Sequence, residues 1–124
     1  MTTPSFDGLI AFYPASDLSA TEDFYCRDLG LTLARDQGTC RIFKVKRGAY
    51  LGFCLHLGDP GHVGNTILTL LCDDVDAAYR RLRRLGVETE GSPRFNEQFG
   101  IYHFFAADPD GYRVELQRFA TPLE

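Results

Sequence analysis

The sequence predicts an α+β fold in which two βαβββ modules form a curved mixed sheet around a cavity. Three observations carry that expectation. The chain states one pattern twice, and each copy holds a helix signal closed by a glycine. Strand-like runs flank each helix signal, one before it and three after. Residues 108–116, Asp-Pro-Asp-Gly-Tyr-Arg-Val-Glu-Leu, spell a tight turn running into an alternating strand.

In the first copy, Gly8–Tyr13 reads as a strand. Ser16-Asp17-Leu18 then opens a helical pattern that stops at Leu29-Gly30-Leu31. Ser19 and Glu22 have capping-box spacing, Leu18, Phe24, Tyr25 and Leu29 supply apolar anchors, and Gly30 sits where a C′ glycine belongs. Three strands should follow: Leu31–Arg35, Cys40–Val45 and Ala49–Leu57. Asp36-Gln37-Gly38 and Lys46-Arg47-Gly48 separate them. Gly58–Gly64 reads as a linker.

The second copy opens with a strand over Asn65–Cys72. Asp74 is the expected N-cap of a helix whose stripe is Ala78, Leu82 and Leu85, with Gly86 ending it. Strands are expected over Val87–Glu90, Ile101–Ala107 and Tyr112–Phe119, with a Gly-, Ser-, Pro- and Asn-containing loop at 91–98 and the 91–99 stretch as a candidate lid. The helical stretch from Asp17 to Gly30 is one residue longer than that from Asp74 to Gly86. The whole reads as a single domain, 1–124, of modules at about 6–57 and 65–119 joined by 58–64. Each four-stranded layer covered by one helix must bury its other face, and two such faces would enclose a ligand-sized space.

Composition narrows the function classes. The chain has 124 residues, 44% hydrophobic, which suffices for a core without staples. No apolar run approaches the roughly 18 residues of a membrane span, and the first residues lack the basic and apolar regions of a signal peptide, so a cytoplasmic protein is expected. A net charge of −4 disfavours nucleic acid as a partner, and Arg80-Arg81-Leu82-Arg83-Arg84 reads as a solvated helix face. Cys26, Cys40, Cys54 and Cys72 stand singly with no Cys-x-x-Cys pair, which argues against a disulfide framework or a zinc ribbon. Each is expected to act as a small buried hydrophobe.

The segments "SDLSATEDFYCRDLGL", "DDVDAAYRRLRRLGV" and "DPDGYRVELQRF" resemble, in order and spacing, the vicinal-oxygen-chelate superfamily of glyoxalases, bleomycin-resistance proteins and extradiol dioxygenases. The resemblance implies the glyoxalase/bleomycin resistance fold. It also implies four metal-ligand positions, a His on the first strand of each half, often a Glu on the fourth strand, and a Glu on the last. Counted from the matching segments, these fall at Ile10, Ile67, Gly52 and Glu115. One carboxylate cannot hold a divalent ion by itself, so no metal and no cofactor are expected.

Strand alternation extends from Glu115 to its neighbours. With Glu115 facing the cavity, Arg113 and Gln117 face it too. The resemblance places His103 and Phe105 on the same face, whereas a tighter turn would select Tyr102 and Phe104. With Gly52 inward, Tyr50, Cys54 and His56 follow, and pairing across the Lys46–Ala49 turn would set Val45, Phe43 and Arg41 beside them. Phe12 and Phe99 are further stacking candidates. Cys54 near Arg41 could react, Arg41 could serve in a structural ion pair, and His62 should face solvent.

The leading expectation is a metal-independent small-molecule-binding protein, completed as a homodimer, with Arg41, Phe43, Tyr50, Cys54, His56, Phe105, Arg113 and Gln117 as ligand-binding residues. The alternative is a metal-free isomerase or lyase with Glu115 as general base and His103 or His56 as its acid. A metal-dependent lyase or dioxygenase built on His56, His103 and Glu115 is the third.

Overall fold

The computed structural model describes residues 2–61 and 63–124 and divides them into two compact units, Met1–Pro60 and Gly61–Glu124. His62, expected at the surface, lies outside the described residues. Each unit has the order strand, helix, then three strands, and each sheet is mixed, with its first strand parallel to its last.

In the first unit β1 (Leu9–Pro14) pairs in parallel with β4 (Ala49–Cys54). The sheet continues antiparallel through β3 (Cys40–Lys46) to β2 (Thr32–Asp36). Helix α1 (Leu18–Glu22) runs without a break into a π-helical segment, Asp23–Asp28. Its N-cap is Asp17, whose carboxylate accepts from the Ser19 and Ala20 amides at 2.9 and 3.1 Å, so the Ser19–Glu22 capping box gives way to a carboxylate cap. The π segment, marked by the Leu29 N–H bonding the Phe24 carbonyl at 3.0 Å, absorbs the extra residue of the first copy. It still delivers Tyr25 to the sheet, where its ring stacks on Phe53 and Phe43 at 4.7 and 5.9 Å between centroids. The fourth expected strand stops at Cys54, and Leu55–Leu57 turns into a 3₁₀ segment.

The second unit repeats the plan. β5 (Ile67–Leu71) pairs in parallel with β8 (Arg113–Phe119), then come β7 (Ile101–Ala107) and β6 (Arg94–Asn96). Helix α2 (Val75–Arg84) is capped by Asp74, which accepts from the Ala77 amide at 2.9 Å, and buries Val75 and Leu82. Arg80, Arg81, Arg83 and Arg84 are all exposed, and so is Leu85, which the expected stripe had placed inward. Gly86, at φ 78°, ends the helix while the Val87 amide reaches back to the Leu82 carbonyl at 2.9 Å.

The strand expected at Val87–Glu90 is corrected. Only a single bridge, Thr89 to Ala106, touches β7 there, and Gly91 at φ 79° with Pro93 breaks the ladder before pairing resumes at Arg94–Asn96. The expected strand and the expected lid are therefore one interrupted edge strand. The Asp108–Tyr112 turn is closed by the Gly111 amide on the Asp108 carbonyl at 3.0 Å, while the buried Asp108 carboxylate accepts from the Asp110 and Tyr112 amides at 2.9 Å. Beyond it Tyr112, Val114 and Leu116 are buried, and Leu68, Leu70 and Phe104 join them in the core of this unit. The opposite face carries Arg113, Glu115 and Gln117.

Candidate functional site

Glu115 stands mid-strand on β8, and the register of the second sheet decides what surrounds it. Thr69 is its partner on β5 and Phe105 its partner on β7, with His103 opposite Gln117. All share one sheet face because side chains alternate along each strand. The Asp108–Tyr112 turn thus selects His103 and Phe105 for this face rather than Tyr102 and Phe104.

Both Glu115 oxygens are engaged. The Thr69 hydroxyl donates to Oε1 at 2.6 Å, and His103 Nδ1 meets Oε2 at 2.6 Å. Glu115, His103 and Gln117 are buried, at 6, 7 and 7% exposure, and the bonds from Thr69 and His103 satisfy the Glu115 carboxyl group within an apolar surround. A carboxylate only accepts, so Nδ1 carries the proton in that bond and Nε2 is left to face other chemistry. Phe105 stands edge-on to His103 at 5.2 Å and under the Arg113 guanidinium at 4.0 Å. Arg113 is itself held in a two-point pair with Glu90 at 3.0 and 3.2 Å. An open pocket of about 530 Å³ lies over this face, lined by Ile67, Arg94, Asn96, Phe99, Ile101 and Phe119 together with His103, Phe105, Glu115 and Gln117.

The first unit departs from the expected lining. Lys46 pairs with Ala49, but a bulge at Val45 shifts the next pairs to Lys44–Tyr50, Ile42–Gly52 and Cys40–Cys54. A one-residue slip exchanges the two faces. Phe43 and Arg41 consequently lie on the helix side, not beside Gly52. Phe43 is fully buried against Tyr25, and the Arg41 guanidinium pairs with Glu22 at 3.1 Å while reaching the Leu18 carbonyl at 3.3 Å. Tyr50, Gly52 and Cys54 share the other face with Ile42. A second pocket of about 490 Å³ lies there, lined by Ile10, Phe12, Ala34, Arg35, Gln37, Ile42 and Tyr50.

The same bulge corrects the cysteine reading. Cys40 and Cys54 fall directly opposite each other, 4.1 Å apart at Cα, and are joined as a disulfide. Cys54 is therefore not a free reactive thiol. Exposed His56, on the 3₁₀ segment that follows, sets its Nδ1 3.7 Å from Cys40 Sγ. Cys40 and Cys54 are 14 residues apart in sequence, so only the hairpin register could have revealed the pair. Thr69 and Arg94 were missed as well. Thr69 needed the β5–β8 register, and Arg94 stood in a stretch read as loop.

The four metal-ligand positions that the resemblance implies are poor in donors. Ile10 and Ile67 offer no donor, and the Phe12 ring occupies the space that a side chain at Gly52 would need. Glu115, the remaining donor, is taken up by Thr69 and His103. The residues do not fit the family's metal. Among the described residues, the cluster of potential ligands close enough to share an ion is Cys40, Cys54 and His56, all in the first unit.

The family model for the glyoxalase/bleomycin resistance protein/dioxygenase superfamily matches residues 9–116. The chain belongs to this superfamily. Solved members share the fold at low identity. A glyoxalase/bleomycin resistance protein/dioxygenase from Nocardioides has a TM-score of 0.75 at 20% identity, covering 96% of this chain and 85% of that one. One from Alicyclobacillus acidocaldarius has 0.74 at 22%, covering 93% and 92%. A lactoylglutathione lyase from Agrobacterium tumefaciens has 0.75 at 24%, covering 94% and 96%. At such identities the likeness speaks for fold, and the superfamily's members diverge in chemistry. No match was found among curated proteins. No helix among the described residues is long and apolar enough to cross a membrane.

Proposed function

We propose that this superfamily member is a metal-independent small-molecule-binding protein, its ligand held over the Glu115 face of the second unit. The observation that carries the reading is the saturation of Glu115 by Thr69 and His103, on a sheet face where Ile67 offers no donor at the neighbouring ligand position. What remains is a pocket of aromatic and aliphatic walls with a few polar groups, the composition of a small-molecule site. Its lining cation is Arg94, while Arg113 on the same sheet face is paired with Glu90. An aromatic ligand bearing an anionic or hydrogen-bond-accepting group suits it best.

The test starts with native mass spectrometry of freshly purified protein for a co-purifying organic molecule, followed by salicylate titration of chelator-treated protein monitored by NMR. Shifts at His103, Phe105 and Gln117 that survive chelation are expected. Binding that disappears with chelator and returns with a divalent ion would sink the reading.

A second reading is favoured by the His103–Glu115 bond. A carboxylate fixing Nδ1 orients the imidazole and leaves Nε2 to exchange protons, so in a metal-free isomerase or lyase the expected roles exchange: His103 would be the base, and Glu115, expected as the base, its positioning residue. His103→Gln should then abolish turnover of any substrate found, whereas Glu115→Gln should lower kcat and shift its pH profile while KM changes little. If both variants bind the co-purifying molecule with near-native affinity and the native protein never converts it, the binding reading stands alone.

A further inference from the structure

We propose that Cys40, Cys54 and His56 form a zinc site in the reduced protein, and that the Cys40–Cys54 disulfide is its oxidised, metal-free state. The site rests on the first unit alone and does not depend on the ligand reading above. Three potential donor atoms, the two cysteine sulfurs and an imidazole nitrogen, lie within 4.8 Å of one another, with the sulfurs joined as the disulfide. The β3–β4 register holds the cysteines on one sheet face. The Leu55 amide, bonded to the Thr39 carbonyl at 2.8 Å, ties the start of the His56 segment back to the residue before Cys40.

The donor set selects the ion. Zinc favours tetrahedral sulfur and nitrogen ligands at about 2.0–2.3 Å, and three protein ligands leave a fourth position open. Burial supports the same assignment. Cys40 and Cys54 are 6 and 2% exposed, so without an ion the reduced pair stays as neutral thiols, and only a bound dication lets both be held there as thiolates. A disulfide carries no charge, and two thiolates on Zn²⁺ sum to none. Exposed His56 gives the ion its route in.

Interconversion is a two-electron step. A phosphine reductant attacks one sulfur, the S–S bond breaks, and water completes the phosphine oxide and frees both thiols. Zinc then displaces one proton from each thiol. In reverse, a hydroperoxide accepts two electrons from the thiolates and two protons from solvent. The S–S bond forms, the O–O bond breaks to give an alcohol and water, and zinc is released.

The experiment uses the full chain, reduced with a phosphine and then freed of it, with zinc affinity read by competition with a chromogenic chelator. Cobalt(II) is added in parallel as a spectroscopic substitute. Stoichiometric zinc, a thiolate-to-cobalt charge-transfer band, and zinc release on adding hydrogen peroxide are expected. Cys54→Ser should abolish the charge-transfer band's full intensity and the tight binding, and a Cys26→Ser/Cys72→Ser protein should retain both. His56→Gln, at an exposed position that leaves the hairpin core untouched, should weaken zinc by at least about 10-fold, the lower end of what even an outer-shell loss costs. Reduced, folded protein that takes up no zinc overturns the proposal. So does zinc affinity that is unchanged in His56→Gln, or lost only in the Cys26→Ser/Cys72→Ser protein.

Discussion

Glu115 draws its character from two neighbours rather than from its own type. Buried beside Phe105 and Gln117, it is made tolerable by the Thr69 hydroxyl and the His103 ring, and removing either leaves a buried acceptor unmet. Gly52 is the complementary case, a position where absence matters because the Phe12 ring fills the missing side chain's space. The two free cysteines, Cys26 and Cys72, are held in the thiol form. Burial, and then the nearby Asp73 carboxylate, raise the Cys72 pKa above its ordinary 9.0, and burial and Glu22 do the same for Cys26. A raised thiol pKa moves the thiolate to higher pH, so alkylation of both by iodoacetamide should be slow at neutral pH. Its rate should climb at a higher pH than that of an exposed cysteine in a peptide. Mass-mapped alkylation across pH checks this, and rapid labelling of Cys72 at pH 7 would contradict it.

At the scale of elements, single residues reset whole faces. The bulge at Val45 turns Arg41 and Phe43 toward the helix and Cys40 toward Cys54, while the π segment spends the first copy's surplus residue without losing the Tyr25 contacts. The caps are simpler. Asp74 satisfies one amide at the head of α2, and Asp74→Ala should cost about 1 kcal/mol in a denaturant titration. Leu82, 1% exposed among four exposed arginines, is the helix's main apolar anchor, and Leu82→Ala should cost about 2–5 kcal/mol in the same measurement. A Leu82→Ala loss smaller than that of Asp74→Ala would show that the basic run, not the leucine, organises α2.

For the molecule as a whole, superfamily membership supplies a scaffold without a fixed chemistry. The chain leaves much apolar surface on its strands, including Leu9, Ile10 and Phe12 on β1 and Ile67 and Leu71 on β5. Both are the first strands of their sheets and stand at an edge, a position at which a second chain can add. We therefore expect a homodimer, and sedimentation equilibrium should return twice the chain mass of 13.9 kDa. A monomer at tens of micromolar, the range about which sedimentation is run, would refute it.

The sequence by itself determined the βαβββ repeat, the Asp74 cap, the Gly86 stop and the turn before β8, because each is written in residues close along the chain. It also determined that Ile10, Gly52 and Ile67 cannot serve as ligands, a matter of side-chain chemistry alone. Tertiary structure decided the rest. Whether His103 or Tyr102 meets Glu115, whether Arg41 or Ile42 lies beside Gly52, and whether Cys40 meets Cys54 all depend on strand register. Register is set by bulges and turns that shift pairing by one residue, and with a side-chain period of two, one residue reverses every assignment on a strand.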